Sequence, residues 1–130
     1  LDKKHKVIIV GAGNLGRAIA NYTDFEKRGF SIIGIFDTNE ELIGTKINNI
    51  EIMNFSQIDN FMLENKAHIA TITVPREQAI DVANKLVDIG IKAIWNFAPV
   101  DLHMPSDITV ENVHLTASLM QLSYNIGKDK

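Results

Sequence analysis

The feature that most constrains this chain is a glycine pattern set between a buried-strand signature and a helical one. Val7-Ile8-Ile9-Val10 is a continuous apolar run, the mark of a strand covered on both faces. Gly11-Ala12-Gly13-Asn14-Leu15-Gly16 comes immediately after it and reads G-x-G-x-x-G, and a helical pattern continues over 14–22. Each glycine has its own steric reason. Gly11 permits the tight turn, Gly13 lets the backbone approach a pyrophosphate, and Gly16 lets helix pack closely on strand. The unpaired N–H groups of the first helical turn supply an anion site. A chain that opens this way is committed to a strand–turn–helix unit.

Beyond that unit, strand and helix patterns alternate. A second strand is predicted over 30–36, ending at Asp37, and 38–52 is poorly periodic with turns marked by Gly44 and Asn48-Asn49. Ser56-Gln57-Ile58-Asp59 has the form of a capping box opening a helix to Asn65. A strand over 68–74 is stopped by Pro75, and a helix carrying Ala79, Val82, Ala83, Leu86 and Val87 is stopped at Gly90. Strands over 93–97 and 108–113 precede a tail helix over 116–126. Strands alternating with helices predict an α/β architecture, a Rossmann-like doubly wound parallel sheet. At 130 residues there is room for one such domain and none for a second that closes over a substrate. The chain opens on Leu1 rather than Met, so it reads as a fragment or a processed chain.

Asp37 lies about 20 positions beyond the glycine loop, where a carboxylate accepts both hydroxyls of an adenosine ribose. It also selects, because a carboxylate within ~4 Å of a ribose 2′-phosphate meets repulsion of about 4 kcal/mol per unit charge at an effective dielectric near 20. Thr38 and Asn39 come next, with no Arg or Lys to receive that phosphate, so the expected ligand is NADH or NAD⁺ rather than the phosphorylated dinucleotide. Two further strand ends, Thr73-Val74-Pro75 and Asn96-Phe97-Ala98-Pro99, point at the same crevice and are expected to line the adenine and nicotinamide sides. Tyr22, placed at the end of the first helix, reads first as a packing residue and is kept among the cofactor-binding candidates.

Other chemistry is excluded or unsupported. No cysteine is present, which removes disulfides, iron–sulfur clusters and thiol switching. The net charge of −3 does not describe a nucleic-acid surface. No apolar run approaches 18 residues, so no membrane partner is expected and the chain reads as cytoplasmic. His5 and His68 read as edge positions, and His103 and His114 are not spaced as metal ligands. A dehydrogenase needs a proton donor or acceptor beside its substrate carbonyl, and only His114 offers one. No catalytic residue and no metal site is assigned.

These residues resemble the redox-sensing transcriptional repressors called Rex. The resemblance rests on residues 10–20 (VGAGNLGRAIA), 29–37 (GFSIIGIFD), 71–75 (TITVP), 86–99 (LVDIGIKAIWNFAP) and 113–124 (VHLTASLMQLSY). It implies a homodimer that binds operator DNA through an N-terminal winged-helix domain and is released from DNA by NADH. It also implies a C-terminal helix exchanged between subunits, placing Leu115 beside the partner's nicotinamide pocket. The winged-helix segment has no counterpart in these 130 residues, so operator contact is expected through a domain outside them. The organisation expected is an NAD(H)-binding domain over 1–114 and an exchanged helix over 115–130. At His114 many relatives carry Asp, while Leu115 keeps the apolar role.

The resemblance suits the physics of a sensor. Oxidised nicotinamide is a cation and the reduced ring is neutral, so walls of Phe97, Ala98, Pro99 and a partner's Leu115 would discriminate by charge burial. Leu115, Leu119, Leu122 and Ile126 form an apolar stripe at the chain end, the pattern of an interface; Met120 belongs to the same packing surface. Two other classes stay open here: a small NAD-dependent oxidoreductase subunit, and a CoA-binding domain of the ligase type. Asp37 argues against the second, because a ribose 3′-phosphate has no use for a carboxylate at the diol.

Overall fold

Parallel strands with helices on both faces make up the structure, a computed structural model that describes residues 4–128. The elements in chain order are β1 (His5–Val10), α1 (Asn14–Ala20), α2 (Asp24–Lys27), β2 (Phe30–Asp37), β3 (Lys46–Ile47), β4 (Ile50–Asn54), α3 (Ile58–Glu64), β5 (Ile69–Ile72), α4 (Arg76–Asp88), β6 (Ala93–Asn96), β7 (Thr109–Asn112) and α5 (Leu115–Lys128). They form one seven-stranded sheet in the order β3-β4-β2-β1-β5-β6-β7. Every pairing is parallel except β3 with β4. The Rossmann-like doubly wound reading therefore stands. From β1 the chain moves first toward β2 and β4 and then returns to β5 on the other side. Strand order reverses there, and α/β sheets open their ligand crevice at such a point.

Strand periodicity sorts the core. Ile8 and Val10 of β1 face one side, with Phe36, Ala70, Ile72 and Ile94, and α4 closes over them with Ala79, Val82, Ala83 and Leu86. Ile9 faces the other side with Ile35, Ile47 and Ile52, under Ile19 and Ala20 of α1. Gly34 sits where the β1–β2 register shifts, and a Cβ there would lie 2.9 Å from the ring of Phe61. The absent side chain lets Phe61 meet Phe36 edge to face, with centroids 5.2 Å apart.

Several boundaries differ from the sequence reading, among them the strand expected over 68–74, which spans Ile69–Ile72. The first helix stops at Ala20 and a separate short α2 comes after it, which leaves Tyr22 in the turn between them rather than on a helix. The 38–52 stretch contains the β3–β4 hairpin. Its Asn48 and Asn49 have φ of 49° and 68°, the geometry of a tight two-residue hairpin turn. A two-residue strand is too short to show periodicity, which is why only the turn was readable. The helix start near 56 is capped by Asn54, whose side chain accepts the Ser56 N–H at 3.0 Å, and not by Ser56. The tail helix begins at Leu115 and runs to Lys128. The stop at Gly90 (φ 106°) is as predicted: Ile91 N–H reaches Leu86 O and Gly90 N–H reaches Val87 O, the paired bonds of a glycine helix stop.

The two faces are unequally covered. The β6–β7 connection carries no helix, so the face bearing α1 and α2 is open over β5, β6 and β7. A hollow of about 380 Å³ lies there, walled by Phe25, Phe30, Ile32, Ile69 and Trp95 among others. The Thr71 hydroxyl in the same region is buried without a hydrogen-bond partner.

Candidate functional site at the carboxyl edge of the sheet

The strand ends are knit by a repeated bond. Gly11 N–H donates to Phe36 O at 2.8 Å, Thr73 N–H to Val10 O at 2.9 Å, Phe97 N–H to Ile72 O at 2.9 Å, and Val113 N–H to Asn96 O at 2.8 Å. Each first residue beyond a strand thus bonds to a carbonyl at its neighbour's end, the last one of β1, β5 and β6 and the penultimate one of β2. The consequence is a row, Gly11–Thr73–Phe97–Val113, along one edge. The three segments singled out in the sequence converge because parallel pairing puts their strand ends side by side.

The glycine loop behaves as its residue types require. Gly11 has φ 109°, and a Cβ on it would lie 2.5 Å from Thr73 Oγ1. A Cβ on Gly16 would lie 1.9 Å from Gly11 O, so α1 can sit this close to β1 only without a side chain there. A Cβ on Gly13 would meet nothing within 4 Å, so that glycine opens outward and leaves its backbone free for approach. No side chain caps the start of α1, where Asn14 and Leu15 stand exposed. First-turn N–H groups have no carbonyl partner within a helix. Ala12 is buried against β1 and β2.

Asp37 is placed where the spacing predicted, at the end of β2 beside the loop. Its Oδ2 accepts the Ala12 N–H at 2.7 Å, and its Oδ1 accepts those of Thr38 at 2.7 Å and Asn39 at 2.8 Å. The carboxylate is therefore oriented by three backbone donors, and its oxygens keep lone pairs for further donors. Thr38 itself is exposed beside it.

The other strand ends divide into scaffold and wall. Thr73 turns its hydroxyl to Gly11 O at 2.8 Å and braces the glycine loop. Val74 and Ala98 are buried in the core under α4, alternation along the chain carrying them inward, and Ala98 also lines the cleft beyond Phe97. Pro75 and Pro99 are exposed, and Phe97 is half-buried with its ring edge to face on Trp95 at 4.6 Å. Asn96 is 1% exposed and its amide is consumed by the neighbouring loop, so it shapes the wall from behind rather than presenting a surface. Tyr22 is 54% exposed and lies edge to face on Phe25 at 4.7 Å, toward α2.

Beyond Pro99 the wall opens into a cleft of about 470 Å³, where Arg76, Asp101 and His114 join Phe97, Pro99 and Leu115. It is more polar than the strand ends alone indicated: His114 Nε2 lies 2.6 Å from Asp101 Oδ1, and Arg76 projects from the first turn of α4. Leu115 of the same chain lines this cleft and is 50% exposed. Arg76 and Asp101 lie one and two residues beyond the two prolines, and that spacing is the only local signal they carry. Among the described residues no group of three or more His, Asp or Glu is placed to hold a metal, and no helix is long and apolar enough to cross a membrane.

Comparison with known proteins gives a consistent set. A family profile described as "CoA binding domain" matches residues 2–100. The redox-sensing transcriptional repressor Rex of Thermoanaerobacter sp. (strain X514) is 49% identical over all 130 residues, and the chain spans 58% of that relative's length. The crystal structure of RSP in complex with β-NADH superposes with a TM-score of 0.91 at 50% identity, covering 99% of this chain and 62% of that one. RSP, a Rex-family repressor, in complex with β-NAD⁺ and operator DNA gives 0.93 at 50% identity, covering 99% and 59%.

Proposed function

The chain belongs to the CoA binding domain family, with Rex repressors as its relatives along its whole length, and on that premise we propose that it is the NADH/NAD⁺-sensing core of a redox-responsive transcriptional repressor. The observation that carries this reading is Asp37, held by three backbone N–H groups beside an uncapped helix start and an open Gly13. Such a site suits a pyrophosphate flanked by an unphosphorylated ribose diol. Backbone of 11–16 would receive the pyrophosphate, with Asp37 and Thr38 at the ribose. Thr73 and Asn96 would brace the loops, and Pro75, Phe97, Ala98, Pro99 and a partner's Leu115 would stand toward the nicotinamide end. A CoA 3′-phosphate would meet the Asp37 carboxylate with repulsion of about 4 kcal/mol at ~4 Å separation, so the family's name does not decide the ligand here.

The bound dinucleotide supplies a redox-dependent charge: its nicotinamide is cationic when oxidised and neutral when reduced. The residues of this chain sense rather than react. A ligand moves a conformational equilibrium only by its differential affinity for two states, so NADH must favour one dimer arrangement more than NAD⁺ does. Operator DNA would be held by a part of a cytoplasmic repressor outside these 130 residues, in keeping with the chain's span of 58% of the Rex relative's length. The chain would divide into a ligand domain ending at 114 and an exchanged helix, which among the described residues is Leu115–Lys128. That helix would join two copies, its bare apolar stripe seated on the open, largely apolar hollow of the partner's sheet.

Calorimetry with NADH, NAD⁺, NADPH and CoA in parallel tests the ligand. NADH is expected to bind tightest, NAD⁺ more weakly and NADPH scarcely. Asp37→Ala should cost about 1.5–3 kcal/mol of NADH affinity, the range for a charge-assisted hydrogen bond. Equal affinity for NADPH, or tightest binding of CoA, overturns the reading.

A further inference from the structure

A pair of amides outside the glycine loop ties the ligand wall to the root of α5. Asn96, at the end of β6, donates from Nδ2 to Val100 O at 2.8 Å and to Asn112 Oδ1 at 2.9 Å, and its Oδ1 accepts the Ala98 N–H at 3.0 Å. Asn112, at the end of β7, stands opposite Asn96 in register. Its Oδ1 also accepts the Leu102 N–H at 3.1 Å. Asn112 therefore holds both sides of the 97–102 loop while sitting three residues before Leu115, where α5 starts. An outer link, His114 to Asp101, joins the same loop to the residue just before the helix.

Buried amides are costly to leave unpaired, and bonds in a network strengthen one another, so the buried Asn96 and the half-buried Asn112 resist separation. A displacement of Phe97–Pro99 by a bound ring must either break the Asn96–Asn112 bond or carry the end of β7 with it. Simple loop stapling explains the Asn96 bonds to Val100 and Ala98, but it does not require a second amide on the strand that leads into α5.

We propose that Asn112, acting through Asn96, is a positioning residue that couples occupancy of the strand-end wall to the angle at which α5 leaves the domain. This links ligand binding to self-association, and it rests on the reading that the chain binds NADH and pairs through α5. Thermodynamic linkage then makes the two affinities change by the same factor.

The test measures the dimer dissociation constant of the full chain by sedimentation, with and without saturating NADH. The ratio of the two constants reads the coupling. In the natural chain it should be roughly 5-fold or more, the lower end for coupled sites. In Asn112→Ala the ratio should fall to about one while NADH affinity stays within about 3-fold, a split that a general loss of stability does not produce. Asn112→Asp keeps the acceptor for Asn96 Nδ2 and the Leu102 N–H, loses only the long 3.4 Å donation from Asn112 Nδ2 to Leu102 O, and should restore most of the ratio. If Asn112→Ala does not fold, Asn112→Ser, whose hydroxyl is too short to bridge both donors, takes its place with the same expectation. An unchanged ratio in the Ala or Ser variant overturns the proposal, and so does equal loss in Asn112→Asp. A natural chain that binds NADH and dimerises with a ratio of one also overturns it while the ligand reading stands. A chain that does not bind NADH overturns that reading first.

Discussion

Helices α4 and α5 have nearly the same length, 13 and 14 residues, and both carry apolar residues at helical spacing, yet one is sunk in the core and the other stands bare. On α4, Ala79, Val82, Ala83 and Leu86 are all buried. On α5, Leu119, Leu122 and Ile126 are each exposed by 61% or more. Connectivity makes the difference. β5 and β6 are paired neighbours, so the chain between them must return across the sheet and presses α4 onto it. After β7, among the described residues, no strand comes to bring α5 back. Side-chain size acts in the same direction, since Ala79 and Ala83 permit close approach to the strands while Leu119, Met120 and Leu122 present a broad raised surface. An amphipathic stripe states that a helix has a face to bury; it does not state against what.

The sharpest way to break this comparison is to remove the bare helix. Deleting 116–130 should abolish the proposed dimer, and sedimentation at tens of micromolar should show monomers or aggregates that expose the open hollow. A truncated chain that still dimerises and binds NADH normally would place the interface elsewhere. The next effect comes from one substitution made twice. Leu86→Ala on α4 should cost about 2–5 kcal/mol of folding stability, as burial and a residual cavity dictate. Leu122→Ala on α5 should leave the melting temperature of the dilute chain nearly unchanged while weakening self-association. Equal thermal losses in the two variants would show that α5 packs on its own domain. The smallest effect is expected within α4 itself. Ile80 is 53% exposed on the outer face of that helix, and Ile80→Ser should change stability by no more than ~0.5 kcal/mol, as for ordinary surface positions. A larger loss in a chemical denaturation curve would reveal a second covered surface on α4.

Legibility in the sequence tracked the range of the interactions. The glycine loop was readable because each glycine answers a steric demand within a few residues, Gly16 against Gly11 O above all. Asp37 was readable because strand length alone carries it to the edge beside the loop. Val74 and Ala98 belonged to the right segments, but their inward direction depends on where the helix and loop after each strand turn back. Helical spacing extends to Tyr22, but the chain ends the helix two residues earlier, at Ala20. Asn112 carried no signal, since Asn96 lies sixteen residues away and the two amides meet only through β6–β7 pairing.

The sequence by itself determined the strand–glycine–helix unit, the acidic strand end and the order of alternating elements, because these rest on backbone sterics and on burial periods that repeat within ten or so residues. Tertiary structure alone decided which strand ends became neighbours, which of their side chains became walls, and which helix kept its apolar face uncovered. Those outcomes depend on sheet order and on the return of the chain across it, and no local stretch of residues encodes either one.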